Sequence, residues 1–329
     1  VAAAADARNL FTLVRKGIDA RAVHVHVRKP FRFLLCGDPA LIAEFRALLL
    51  SGHDETIPPQ AAACLETIRA DSPLVTNPNE VRAIVFLGRS GDLAGADFET
   101  LSIMRVPIFA LAVDPKSQPS GPAQPPAPGA WSEYVVPALS RETLRGRFFP
   151  HLVESARGVE IAVGRNLPVL RETVATKLTR DAANNALKVA LASAVVDHIP
   201  LVGIVLGAFA SAGDMVAITG IQVMLMLHIE AVYGRDPDVQ RTWQLLPVIG
   251  GGFGWRTLAR ELVGFVPVAG IAIKGAIAYA GTIVVGEGVT FFHEHGRAMT
   301  KGQAAALYER TKNDALRFTR ELLSKIRKR

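Results

Sequence analysis

At 329 residues, half of them apolar and 20% charged, with a mean hydropathy of +0.25, the chain has room for two domains and is unusually apolar for a soluble protein. Its two cysteines, Cys36 and Cys64, exclude a disulfide framework and fit a reduced, cytosolic setting. The net charge of +7 is concentrated at one end: from Gly296 to Arg329 ten Lys/Arg face three Asp/Glu, so the rest of the chain sums to zero.

The opening V-A-A-A-A-D-A-R-N lacks the charged-then-apolar order of a signal peptide. Residues 1–28 predict an N-terminal helix with Leu10, Leu13, Val14 and Ile18 on one face, and a basic cluster runs from Arg15 to Arg32. Phe31 to Cys36 is an apolar run closed by Gly37-Asp38-Pro39, a strand ending in a turn, and Ala40 to Leu50 is the helix that follows. Val81 to Leu87 and Val106 to Val113 predict two more buried strands, with a short helix at Asp97 to Met104 between them. Pro115 to Pro128 holds six prolines and reads as a loop. Trp131 to Pro137 predicts a fourth strand, and Arg141 to Arg157 one helix leaving it. Strands alternating with helices predict a parallel α/β sheet over residues 29–160.

From Leu170 onward the strand pattern stops, and residues 165–296 predict an all-α domain. Arg171 to Val195 is its first helix, residues 238–247 a short one, Gly250 to Gly254 a hinge, and Arg256 to Val263 another helix. Residues 297–329 predict a basic amphipathic helix, with Tyr308, Thr311, Ala315, Phe318, Leu322 and Ile326 stepping by three or four.

This second half nearly repeats itself. Pro200, Gly203 and Ile204 match Pro267, Gly270 and Ile271; after one inserted residue Gly207, Ala208, Ala210, Ala212 and Gly213 match Gly275, Ala276, Ala278, Ala280 and Gly281. A repeat of this period is one supersecondary unit used twice. Its small residues (Gly203 and Gly207; Ala272, Ala276 and Ala280) form flat stripes on which helices approach closely, and the two copies are expected to pack stripe on stripe. Asp214 and Lys274 break the apolar runs; a central Lys costs a spanning helix about 2.5–3.5 kcal/mol. Two readings fit, one long helix that buries Asp214 against a partner or a helical hairpin in each unit, and hairpins are expected because Gly213-Asp214 has the form of a helix stop and a new N-cap.

Catalytic chemistry is absent from the motifs. A phosphate loop of the form G-x-x-x-x-G-K-[ST] would start at Gly37, but Ile42, Ala43 and Glu44 stand where Gly, Lys and the hydroxyl belong, and Pro39 removes an amide. Asp114-Pro115-Lys116 keeps only fragments of a guanine-reading N-K-x-D. Gly37, Asp38 and Asp114 are therefore weak cofactor-binding candidates. Two His at i, i+2 in His293-Glu294-His295 point to different sides of a helix and do not share an ion, and on a strand His24 and His26 would share a side but lack a third ligand. No metal or cofactor is expected. His228 and Glu230 lie in an apolar run, either as functional groups in a membrane or as the polar edge of a soluble helix.

The order I-P-L-V-G, G-D-M-V, Q-V-M-L-M-L-H-I-E-A-V-Y-G, then R-E-L-V-G-F-V-P-V-A-G, I-A-Y-A-G-T-I-V-V-G-E-G and F-F, over about residues 170–296, resembles the domain of unknown function 697 family. The resemblance implies a helical, membrane-associated bacterial domain behind an Era-like GTPase domain, which makes residues 29–160 a degenerate P-loop GTPase-like domain. It carries no reaction. The expectation is a non-enzymatic scaffold or regulator, with the α/β domain binding a protein partner such as an active GTPase. Basic termini place both ends on the cytoplasmic side of the bacterial inner membrane. Arg317, Arg320, Lys325, Arg327, Lys328 and Arg329 are the candidates for lipid headgroups. A second copy of the chain is a further expected partner. Nucleic acid is disfavoured, because no zinc finger or aromatic-basic stripe is present. The alternative is a soluble nucleotide-binding module or enzyme using the strand ends near Gly37 and Asp114.

Overall fold

The computed structural model describes residues 20–53, 56–71, 75, 77–196, 203–240, 242 and 270–327. They fall into two compact units: residues 25–174 with 232–234, and the remainder.

After helix α1 (Ala20–Val27), the first unit is built on five strands: β1 (Arg32–Gly37), β2 (Leu65–Thr67), β3 (Val81–Arg89), β4 (Ile108–Val113) and β5 (Trp131–Val136). All pair in parallel, in the order β2-β1-β3-β4-β5. The chain order reverses between β1 and β3, which makes that junction the topological switch point. Four of the strands follow the apolar runs of the sequence. The three residues of β2 are too few to leave a periodic signal.

Helices α2 (Pro39–Leu50), α3 (Pro59–Ala63), α4 (Phe98–Ser102), α5 (Arg141–Leu144), α6 (Phe148–Ser155) and α7 (Glu160–Asn166) complete this unit. The single helix expected over residues 141–157 is two. Pro150 explains the break: in a continuous helix its ring would meet the carbonyl of residue 146, whereas a restart at Phe148 places it in the first turn.

Alternation along the strands separates the two sheet faces. Leu34, Cys36, Ile84, Phe86, Ile108 and Ala110 form one core with Phe98 and Leu101 of α4. The opposite face is aromatic: Phe148 of α6 lies 5.8 Å from Phe45, 5.7 Å from Phe109 and 5.3 Å from Tyr134, ring centre to ring centre. Burying each such ring contributes roughly 1.5–3 kcal/mol. The Pro-rich loop closes the outer edge of β5, where Ser120 and Val135 exchange backbone hydrogen bonds of 2.9 and 3.1 Å.

Four long helices follow: α8 (Arg171–Val196), α9 (Gly203–Val232), α10 (Gly270–His295) and α11 (Lys301–Arg327). The hairpins expected from Gly213-Asp214 do not form. Helix α9 runs unbroken through both residues, and α10 through Lys274 and Gly281. An interior glycine costs a helix only about 1 kcal/mol relative to alanine, less than burying even one large apolar side chain returns. Residues 239, 240 and 242 are helical, as expected for the short helix, while the hinge at Gly250–Gly254 and the helix at Arg256–Val263 lie outside the described residues, as do Pro200 and Pro267.

Helix α10 is the centre of the second unit. Its Ala278 packs with Ala186 and Ala190 of α8 and Ile218 of α9. Ile277, Ala280 and Val284 meet Ala304 and Tyr308 of α11. A Cβ added at Gly275 would lie 2.6 Å from Leu187, and one at Gly286 would lie 2.2 Å from the Thr179 hydroxyl oxygen, both on α8. Of the small-residue stripe, Ala280 thus packs with α11. The short turn between α10 and α11 makes those two helices antiparallel neighbours.

Candidate functional site

In an open parallel sheet, ligands enter at the carboxyl ends of the strands, at the switch point. Here β1 and β3 stay paired up to that point. Gly37 has φ +110°, and a Cβ on it would stand 2.0 Å from the Leu87 carbonyl oxygen. The Asp38 amide donates to that same carbonyl at 2.8 Å. The ends of β1 and β3 are therefore in backbone contact.

The first turn of α2 is likewise filled. The Asp38 carboxylate accepts from the Ala40 and Leu41 amides at 2.8 and 3.1 Å, Pro39 has no amide, and the Ile42 amide donates to the Asp38 carbonyl at 2.9 Å. A phosphate bound at a helix N-terminus uses just these donors. The Asp38 side chain supplies the anion in its place.

The neighbouring strand ends repeat this solution. After β3, Asp92 accepts from the Arg89 amide at 2.7 Å. After β4, Asp114 accepts from the Lys116 amide at 3.0 Å, and its own amide donates to Val136 at 2.9 Å. After β5, Ser140 and Thr143 form a capping box. Gly37, Asp38 and Asp114 thus lie at the ends of strands on one edge, but each is engaged with the backbone beside it. Asp92 joins them, unforeseen in the sequence, although its G-D-L after a strand has the form of a cap.

Burial removes both thiols as nucleophiles. The Cys36 and Cys64 thiols are pushed up to about 12 by desolvation, which leaves them protonated and inert. Among the described residues no group of three or more His, Cys, Asp or Glu gathers to hold a metal. His24 and His26 lie on α1, not on a strand. His295 stacks on Phe291 and bonds its carbonyl at 3.1 Å through Nδ1.

In the helical unit, Ala276, Ala280 and Gly281 are buried, while Gly203, Gly207, Gly213, Gly270 and Ala272 are located by backbone alone, on α9 and α10. Glu230 is not the polar edge of a helix. It is fully buried and accepts a 3.1 Å hydrogen bond from buried Thr242. Gln222 of α9 donates to Thr282 of α10 at 3.3 Å, a buried polar cross-link that apolar periodicity did not flag. Arg317 is exposed and paired with Asp314 one turn away at 3.0 Å. Arg320, Lys325 and Arg327 continue the same helix, and Lys328 and Arg329 lie outside the described residues. Within α10, residues Ile273–His295 have the length and composition of a membrane span, and the most apolar 18 of them have a mean hydropathy of 1.4, yet 78% of those 18 are buried inside the protein.

No family model, no curated protein and no solved structure matches the chain.

Proposed function

We propose that this protein is a non-enzymatic, membrane-associated scaffold or regulator. Its α/β unit binds a protein partner, such as an active GTPase, and its helical unit docks on the cytoplasmic face of the bacterial inner membrane. The observation that carries the first half is the carboxyl edge of the sheet, where Asp38 takes up the amide donors a phosphate would need. An α/β domain with that edge closed has its outer surfaces left for recognition. On this reading residues 29–160 are a P-loop GTPase-like domain that has lost its phosphate chemistry, and residues 170–296 are a membrane-docking domain of the domain of unknown function 697 type.

The burial of α10 favours docking over spanning. A helix whose neighbours cover 78% of its apolar stretch offers little surface to lipid tails. Headgroup contact then falls to the basic residues of α11, each worth about 1 kcal/mol near an anionic surface.

Two measurements test this. In cell fractionation the chain is expected in the membrane pellet, released by salt or carbonate washes; a chain wholly soluble at low salt removes the membrane half. In calorimetry GTP, ATP and NAD are expected to give no heat of binding; micromolar binding of any of them overturns the partner-binding reading of the α/β unit.

A further inference from the structure

Two exposed large apolar side chains of the α/β unit, Ile103 at 77% and Trp131 at 48%, lie on neighbouring segments at the amino end of the outer strands. Trp131 opens β5, pairs in register with Ile108 of β4 and stacks on Phe98 of α4, with ring centres 4.6 Å apart. Ile103 follows the last residue of α4, and the chain there lies against Gly129, two residues before Trp131. A Cβ built on Gly129 would stand 3.6 Å from the Ser102 carbonyl oxygen and 3.8 Å from the Arg105 Cα. Pro128 and Ala130, on either side of Gly129, are exposed as well. A single exposed apolar residue is ordinary, whereas an adjacent group of this kind marks an interaction surface.

The charges around this patch say what covers it. Arg105 has φ +51° and is the one non-Gly residue with positive φ among the described residues. Its amide donates to the Ser102 carbonyl at 3.0 Å, in the turn that ends α4. The left-handed position after a helix ordinarily goes to glycine, so an arginine there carries backbone strain that the turn does not require. Arg105 is exposed at one end of Trp131. Glu133 is exposed at the other end, two residues along β5 and on the same face as Trp131. Neither forms an ion pair among the described residues.

The surface therefore reads cation, apolar ring, anion in a line. A two-fold axis through Trp131 sets Arg105 of each copy against Glu133 of the other, and Trp131 and Ile103 against their own counterparts. A two-fold interface uses one patch twice, so it needs charges that complement their own rotated image. Trp and Arg are also the side chains that dominate interface energetics. We propose that this protein assembles as a two-fold dimer through the Ile103–Arg105 turn and the Trp131–Glu133 end of β5. The occupant of the patch is a second copy of the chain. This goes beyond the partner-binding and membrane-docking reading, and neither the fractionation nor the calorimetry decides it.

The test is sedimentation equilibrium of the full chain and of the variants Arg105→Glu and Glu133→Arg, each alone and then mixed in equal amounts. Both positions are exposed and unpaired in the single chain, so both variants keep the fold. The unaltered chain is expected to dimerise in the micromolar range. Each variant alone sets two pairs of like charges against each other in its own dimer, and self-association should weaken about tenfold or more. In the mixed dimer both contacts are again between unlike charges, so mixing should restore assembly; a purely structural effect of either substitution is not repaired by a second molecule. Three outcomes overturn the proposal. One is a chain that stays monomeric up to about 100 µM, which would leave the patch to a different protein. Another is a dimer that neither variant weakens, which would place assembly on another surface. The third is a mixture that associates no better than the separate variants.

Discussion

The two units solve the packing problem in opposite ways. The α/β unit fills its core with large rings: Phe33, Phe45, Phe109, Tyr134, Phe148 and Phe149 are all fully buried. The helical unit brings its backbones together over Ala186, Ala190, Ala278, Ala280, Gly275 and Gly286. The first is held by what its side chains occupy, the second by what its side chains omit. Mutational tolerance should therefore run in opposite directions: truncation harms the α/β unit most, and enlargement harms the helical unit most.

The largest effect is expected at Phe148, whose ring meets those of Phe45, Phe109, Tyr134 and Phe149. Phe148→Ala removes a ring that anchors α6 to the sheet and should cost about 3–5 kcal/mol in urea denaturation. A loss under about 1 kcal/mol would mean that this core collapses around the gap, and the contrast between the units would weaken.

Next comes Gly286. A methyl there would stand 2.2 Å from the Thr179 hydroxyl oxygen and 2.5 Å from its methyl carbon. Gly286→Ala should destabilise by about 1–3 kcal/mol, although alanine favours helix by propensity alone. Thr179→Ala removes both of those atoms but leaves its own Cβ 2.8 Å away, so the double variant should recover part of the loss. A stabilising Gly286→Ala would show that α8 and α10 do not approach this closely.

The same contrast explains what the sequence made legible. In the α/β unit four of the five strands are short runs cut off by Gly, Pro or Asp, so β1, β3, β4 and β5 could be placed from residue types alone. Even there Asp38 was visible only as a departure from a phosphate loop. That its carboxylate replaces the phosphate needed the geometry of the Ala40 and Leu41 amides. The helical unit gave away its small residues but not their partners. Ala280 belongs to a repeat, which pointed to the other copy, yet it meets α11. Gly213-Asp214 has the local chemistry of a helix end, yet α9 runs through it. Local signals locate elements bounded by turns; they do not say which of three neighbours a central helix turns each face toward.

The smallest effect tests whether the aromatic core carries a polar weakness. Tyr134 is buried, and its hydroxyl meets Nδ1 of His151 at 2.7 Å. Burial, followed by the charge of Arg147, holds the His151 imidazolium below its ordinary range. The folded state therefore binds this proton less readily than the unfolded chain does. Stability from this residue is fully present above the unfolded value of about 6.5 and declines as pH falls through the lower folded value. His26 is shifted the same way, by burial and then Lys29, and adds to the slope. Urea denaturation between pH 7.5 and about 5 should show stability falling with pH, and His151→Gln, which cannot titrate, should flatten the part of that slope due to the Tyr134 pair. If His151→Gln leaves the slope unchanged, the acid sensitivity belongs to other groups and the Tyr134–His151 contact is not where this core responds to protons.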